Sequence, residues 1–217
     1  MKLPGALIIF LLTNIGIAKG QLKDSVNINK PHISHQLFVP FALMLSGISV
    51  NGNGPESIKK EVAEERTEYF PHFHTHIDNY LQYSPIAIAY ALDAMGVKSK
   101  NDLRNRTAIL LKGELLMMAS VTALKYGTHQ QRPDGSNYNS FPSGHTAQAF
   151  AAATFLSEEY KDKIPWMPFA AYGIAGTVGG LRMANNRHYI SDVLMGAGLG
   201  ILSMKVAYWT HHKKHRT

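Results

Sequence analysis

Five apolar segments with helical spacing constrain this chain more than any other feature. They cover residues 85–95, 107–126, 144–160, 166–181 and 190–210, and the loops between them carry Gly, Pro, Asn and Asp. No stretch alternates apolar and polar residues as a half-buried strand does, so the sequence reads as all-α. Ser84 suits a cap with Pro85 at the first helical position, and Gly96 ends that segment. Upstream, Leu37 to Val50 is an apolar stretch closed by Asn51-Gly52-Asn53-Gly54-Pro55. Pro55 and Glu56 suit the start of a charged helix that runs to about Tyr69, before Pro71. At 217 residues the chain has the length of one domain plus a little more, and it contains no internal repeat. The absence of cysteine excludes disulfides, thiol catalysis and thiolate metal sites. Charged residues at 17% beside 45% hydrophobic argue against disorder.

Residues 1–20 have the layout of a secretory signal peptide. Lys2 is a positive n-region, Ala6 to Ile17 an apolar h-region, and Ala18-Lys19-Gly20 a small-x-small cleavage pattern. An uncleaved anchor is the alternative, although the apolar run is short for a spanning helix. Cleavage removes Lys2 and Lys19 and no acid, taking the formal charge from +7 to +5. That charge favours anionic partners. Export without cysteine points to a Gram-negative-type periplasm. Lys112 and Glu114 inside segment 107–126, and Asp192 and Lys205 inside segment 190–210, are expensive in lipid. The sequence therefore favours a soluble or surface-bound bundle over an integral one. Gly176-xxx-Gly180 and Gly196-xxx-Gly200 allow close helix approach in either setting.

Three segments carry chemistry: Lys125 to Pro133, Phe141 to His145, and Arg182 to Asp192. Ser143 is a good N-cap, and Gly144 leaves the helix-start backbone N–H groups open to an anion. His145 falls in the first turn. Lys125 closes the preceding helix, and Arg132 in the loop offers a planar fork to a tetrahedral oxyanion. His188 and Asp192 are four apart, so the carboxylate can accept from one ring nitrogen and leave the other nucleophilic. Arg182 reaches the same pocket. Three cations, a helix N-terminus and two histidines suit phosphoryl transfer with no metal and no cofactor. One histidine attacks phosphorus, and the other gives a proton to the leaving oxygen.

The order Lys-x6-Arg-Pro, Pro-Ser-Gly-His, Arg-x5-His-x3-Asp resembles the type 2 phosphatidic acid phosphatase superfamily, which includes class A acid phosphatases and vanadium haloperoxidases. The resemblance covers roughly residues 79–208. It implies a single bundle of about six core helices with the phosphate site at helix ends. It also implies phosphate binding by Lys125, Arg132, Ser143, Gly144 and Arg182, a phosphohistidine at His188 oriented by Asp192, and His145 as the acid. Leu181 departs from the family's usual Ser, and Arg187 is an extra cation without an assigned role. The chain then divides into signal peptide 1–20, lead-in and helices 21–78, phosphatase-like domain 79–210 and basic tail 211–217. The Gly-rich apolar C-terminal helices and the basic tail lean towards a lipid-linked substrate: phosphatidic acid, phosphatidylglycerophosphate, an isoprenyl diphosphate or lipid A. A broad-range acid phosphatase, a non-catalytic phosphate or lipid binder and a haloperoxidase are the alternatives.

Other features stay outside this reading. His72, His74 and His76 could share a side if extended, but a solvated or packing loop without a fourth ligand is preferred. The cluster from His211 to Arg216 is a solvated end or a contact for anionic headgroups. Trp166 and Trp209 suit an interface or a core. No nucleic-acid module or basic-aromatic stripe is present.

Overall fold

The structure is a computed structural model that describes residues 33–54 and 56–214. The signal-peptide expectation and the last three residues of the basic tail lie outside them. Eight helices and no strand occur among the described residues, in agreement with the all-α expectation. They are α1 Ile33–Ser49, α2 Ile58–Tyr69, α3 Ile77–Leu81, α4 Ser84–Ala94, α5 Leu103–Thr128, α6 Gly144–Tyr160, α7 Met167–Ala184 and α8 Ile190–Lys214.

Local chemistry explains most boundaries. Asp102 caps α5 by accepting from the Asn105 N–H at 3.0 Å, which starts the helix four residues earlier than the apolar spacing suggests. Gly96 follows α4 at φ +87°, a conformation that favours glycine. Ser84 opens α4 rather than capping it, with its hydroxyl donating back to the Leu81 carbonyl. The charged helix begins at Ile58, after Ser57, so Glu56 lies outside it.

The Ala-rich helix α6 is the hub. Thirteen of its 17 residues are buried, and α8, α7, α4 and α5 pack around it. The approach of α8 is close enough to require small residues. A Cβ on Gly196 would sit 2.5 Å from the Ser143 carbonyl oxygen, and one on Gly200 would collide with the Ala147 carbonyl. Among the described residues Gly176 and Gly180 have no neighbour within reach, so only one of the two glycine pairs makes a helix contact there.

Because α5, α6, α7 and α8 alternate in direction, the end of α5, the start of α6, the end of α7 and the start of α8 meet at one end of the bundle. Helices α2 and α3 lie against that end, α2 on α7 and α8, α3 on α7, α6 and α4. Arg66 fastens α2 by donating from Nε to the Ala184 carbonyl at 2.8 Å.

The outside of the bundle is apolar along two helices. Phe38, Phe41, Leu45 and Ile48 on α1 and Leu111, Leu115, Leu116 and Met118 on α5 are exposed. Leu103–Thr128 and Ile190–His211 are long and apolar enough to cross a membrane. Three of the charges inside these helices have partners. Lys112 meets His211 Nδ1 at 3.2 Å, Glu114 accepts from Gln148 at 2.8 Å, and Lys205 pairs with Glu158 at 3.1 Å. Trp166 is exposed beside α7, whereas Trp209 donates to Gln36 at 3.2 Å.

Candidate active site

His188 lies in the short loop before α8, with its side chain almost wholly buried. Its Nδ1 faces Asp192 Oδ2 at 3.3 Å. The carboxylate is itself held from several sides. Ser140 Oγ and the Tyr189 N–H donate to Oδ2, the latter at 2.9 Å, while Ser191 Oγ and Gln130 Nε2 donate to Oδ1 at 3.2 and 3.5 Å. A carboxylate fixed in this way sets the tautomer of its histidine: Nδ1 carries the proton and Nε2 keeps its lone pair. Burial is the main cause that holds the His188 ring down at about 4, with Arg132 and Lys125 adding to it against the pull of Asp192. The ring is therefore neutral at pH 7.

His145, in the first turn of α6, faces Asn79 Oδ1 through Nε2 at 2.9 Å. Burial and then Arg182, opposed by Asp78, push it down to about 4 as well. Ser143 caps α6: its Oγ accepts from Thr146 Oγ1 at 2.8 Å, and its N–H donates to the Asp192 carbonyl at 3.0 Å. That last bond ties the start of α6 to the start of α8. A cis peptide joins Phe141 to Pro142 just before it.

The cations converge on the same end. Lys125, in the last turn of α5, donates to the Asn139 carbonyl. Arg132 is placed by its backbone N–H on the Asn137 carbonyl at 3.0 Å, and burial with nearby Arg182 holds its guanidinium below the usual range. Arg182, in the last turn of α7, pairs through Nη1 with Asp78, and both are buried. Among the described residues four buried side-chain polar atoms have no partner, and two of them are Arg132 Nε and Arg182 Nε. Unpartnered buried guanidinium N–H groups beside a helix N-terminus are what a tetrahedral oxyanion satisfies.

All eight residues expected from the sequence thus come to one end of the bundle. Arg187, left without a role, pairs with Asp134 at 3.0 Å and joins the loop before α8 to the loop after α5. Sequence reasoning missed Asp78 and Asn79 on α3. It also missed Asn185, which accepts from the Thr75 N–H at 2.8 Å and donates to Asp78 at 3.4 Å. Two acceptors in the segment Ile77-Asp78-Asn79 were the only available signal, and a helix of five residues shows no periodicity. Lys59 is a further buried cation. It donates to the side chains of Asn51 and Asn53, both at 2.9 Å, and sits 5.4 Å from the Tyr189 ring centroid. Of the three loop histidines, His74 and His76 pack edge to face with ring centroids 4.7 Å apart.

Residues 106–216 match the PAP2 superfamily, just over half of the chain. This chain belongs to that superfamily. It is 42% identical over 138 residues to the lipid A 1-phosphatase of Porphyromonas gingivalis, a match covering 63% of this chain and 31% of that one. The chain thus spans about a third of the length of that relative. The crystal structure of Aquifex aeolicus LpxE superposes with a TM-score of 0.51 at 22% identity, over 67% of this chain and 93% of that one. The PAP2 type phosphatidylglycerolphosphate phosphatase of Bacillus subtilis superposes with a TM-score of 0.50 at 19% identity, over 81% and 97%. These two likenesses support the helical PAP2 fold.

Proposed function

We propose that this chain is a phosphoric ester hydrolase that removes phosphate from a membrane lipid of the lipid A 1-phosphate type. The observation that carries the reading is the convergence of a buried His188–Asp192 pair, a second histidine and two unpartnered guanidinium Nε atoms at one end of an apolar-faced bundle. The kinship with the lipid A 1-phosphatase supplies the substrate class.

In this mechanism the phosphate sits between Lys125, Arg132, Arg182 and the backbone N–H groups at the start of α6. The cations stabilise charge on its equatorial oxygens. His188 Nε2 attacks phosphorus as the bond to the leaving oxygen breaks, and His145 gives that oxygen a proton. His145 is neutral before substrate arrives, and the negative phosphate raises its pKa so that it acquires the proton in the complex. Water then attacks the phosphohistidine, passing a proton to His145. Inorganic phosphate leaves, and His188 is restored. Asp192 stabilises the charged imidazole throughout.

We place α5 and α8 across the bilayer, with the site at the outer surface. The exposed apolar faces of α1 and α5 favour lipid contact. The opposite end of the bundle carries Lys98, Lys100, Lys161 and Lys163 in its loops, as expected of a cytoplasmic side.

The test is phosphate release in detergent from lipid A, phosphatidic acid, an isoprenyl diphosphate and a soluble ester. Release from lipid A that is lost in His188→Ala supports the reading. Release from the soluble ester alone contradicts it.

A further inference from the structure

A cleft of about 250 Å³ lies beside the site, between α5, α6 and the Gln82-Tyr83 turn before α4, with Gly144 and His145 among the residues that line it. Met117 and Val121 give it an apolar wall. Glu114 accepts from Gln148 Nε2 at 2.8 Å, and both side chains line the cleft. Glu114 stands near the middle of α5, a helix long and apolar enough to cross a membrane. An ionisable side chain at such a place, facing a cavity rather than lipid, is a candidate for ligand contact. Its single protein partner leaves one carboxylate oxygen with no hydrogen bond to the described residues.

The reaction geometry says what enters the cleft. In an in-line displacement the leaving oxygen lies opposite the attacking nitrogen. With His188 as nucleophile and His145 as acid, the leaving group lies on the His145 side. The cleft borders His145 there.

We propose that this cleft receives the leaving group, and that Glu114 accepts a hydrogen bond from an amide N–H or hydroxyl next to the phosphate-bearing carbon. Glu114 is then a specificity residue that selects an acylated amino-sugar 1-phosphate over phosphatidic acid, whose glycerol carbons beside the phosphate carry no donor. The Met117 and Val121 wall accommodates an acyl chain. The inference rests on the phosphatase reading above.

The experiment compares kcat/KM for three lipids in detergent: an N-acylglucosamine 1-phosphate lipid, its analogue with an ester replacing the amide, and phosphatidic acid. A hydrogen bond to a charged group is worth roughly tenfold to a hundredfold. The unaltered protein should turn over the amide lipid at least about tenfold better than the ester analogue. In Glu114→Leu the amide-to-ester ratio should collapse towards one, while Glu114→Gln, which keeps an acceptor, retains part of it. Equal turnover of amide and ester lipids by the unaltered protein overturns the proposal, and no variant is needed to see it. A ratio that survives Glu114→Leu overturns the role of Glu114. The absence of phosphate release from all three lipids overturns the phosphatase reading itself, and this proposal with it.

Discussion

At the scale of single residues, the site is built on two histidines held neutral by burial. For His188 the ordinary value near 6.5 falls to about 4 in the folded protein. Between those values the unfolded chain binds the extra proton, so stability rises with pH across the window and is lost as pH drops from 6.5 towards 4. Each pKa unit corresponds to about 1.4 kcal/mol, which puts the full contribution on the order of 3 kcal/mol. Thermal melts from pH 7 to pH 4 should show a falling Tm, and His188→Gln should flatten that slope. Asp78 gives a second prediction. It is the buried partner of Arg182, and removing one member of a buried ion pair costs about 3–5 kcal/mol. Asp78→Ala should lower Tm steeply. Saturating orthovanadate, a tetrahedral oxyanion able to pair with Arg182, should recover part of the loss. Recovery no larger than in the unaltered protein would mean that Arg182 does not face the anion.

At the scale of elements, α8 depends on glycine where it crosses α6. Gly200→Val drives a side chain into the Ala147 carbonyl and should abolish folded protein on gel filtration. Gly176→Ala adds a methyl in open space on an exposed turn of α7 and should be neutral or gain up to about 1 kcal/mol. The same contrast shows what the sequence could reveal. Helix spacing shows that both glycine pairs permit close contact, but only three dimensions distinguish Gly196 and Gly200, which meet α6, from Gly176 and Gly180, which meet no other described residue. Ser143, His145, His188 and Asp192 were legible because cap position and four-residue spacing are local properties. Asp78 and Asn79 were not, because their partners Arg182 and His145 lie 104 and 66 residues away. Glu114 stood out in the sequence only as a charge that argued against lipid. Its pairing with Gln148, across 34 residues, makes it part of a cleft instead.

At the scale of the whole molecule, the proposed membrane orientation can be checked. The chain has no cysteine, so a single introduced one reports without background. Ser136→Cys, in the exposed loop at the site end, should react with a membrane-impermeant maleimide on intact spheroplasts. Lys163→Cys, in the loop between α6 and α7, should react only after permeabilisation. The reverse pattern would put the site on the cytoplasmic side.

The central claim is that His188 carries the phosphate during turnover, and rapid quenching tests it most directly. Purified protein is mixed with lipid A radiolabelled at the 1-phosphate, quenched within milliseconds and assayed for protein-bound label. The expected product is an acid-labile, base-stable phosphohistidine that maps to His188, appears before free phosphate and is missing in His188→Ala. Full turnover without any protein-bound label, or label that persists in His188→Ala, would contradict it.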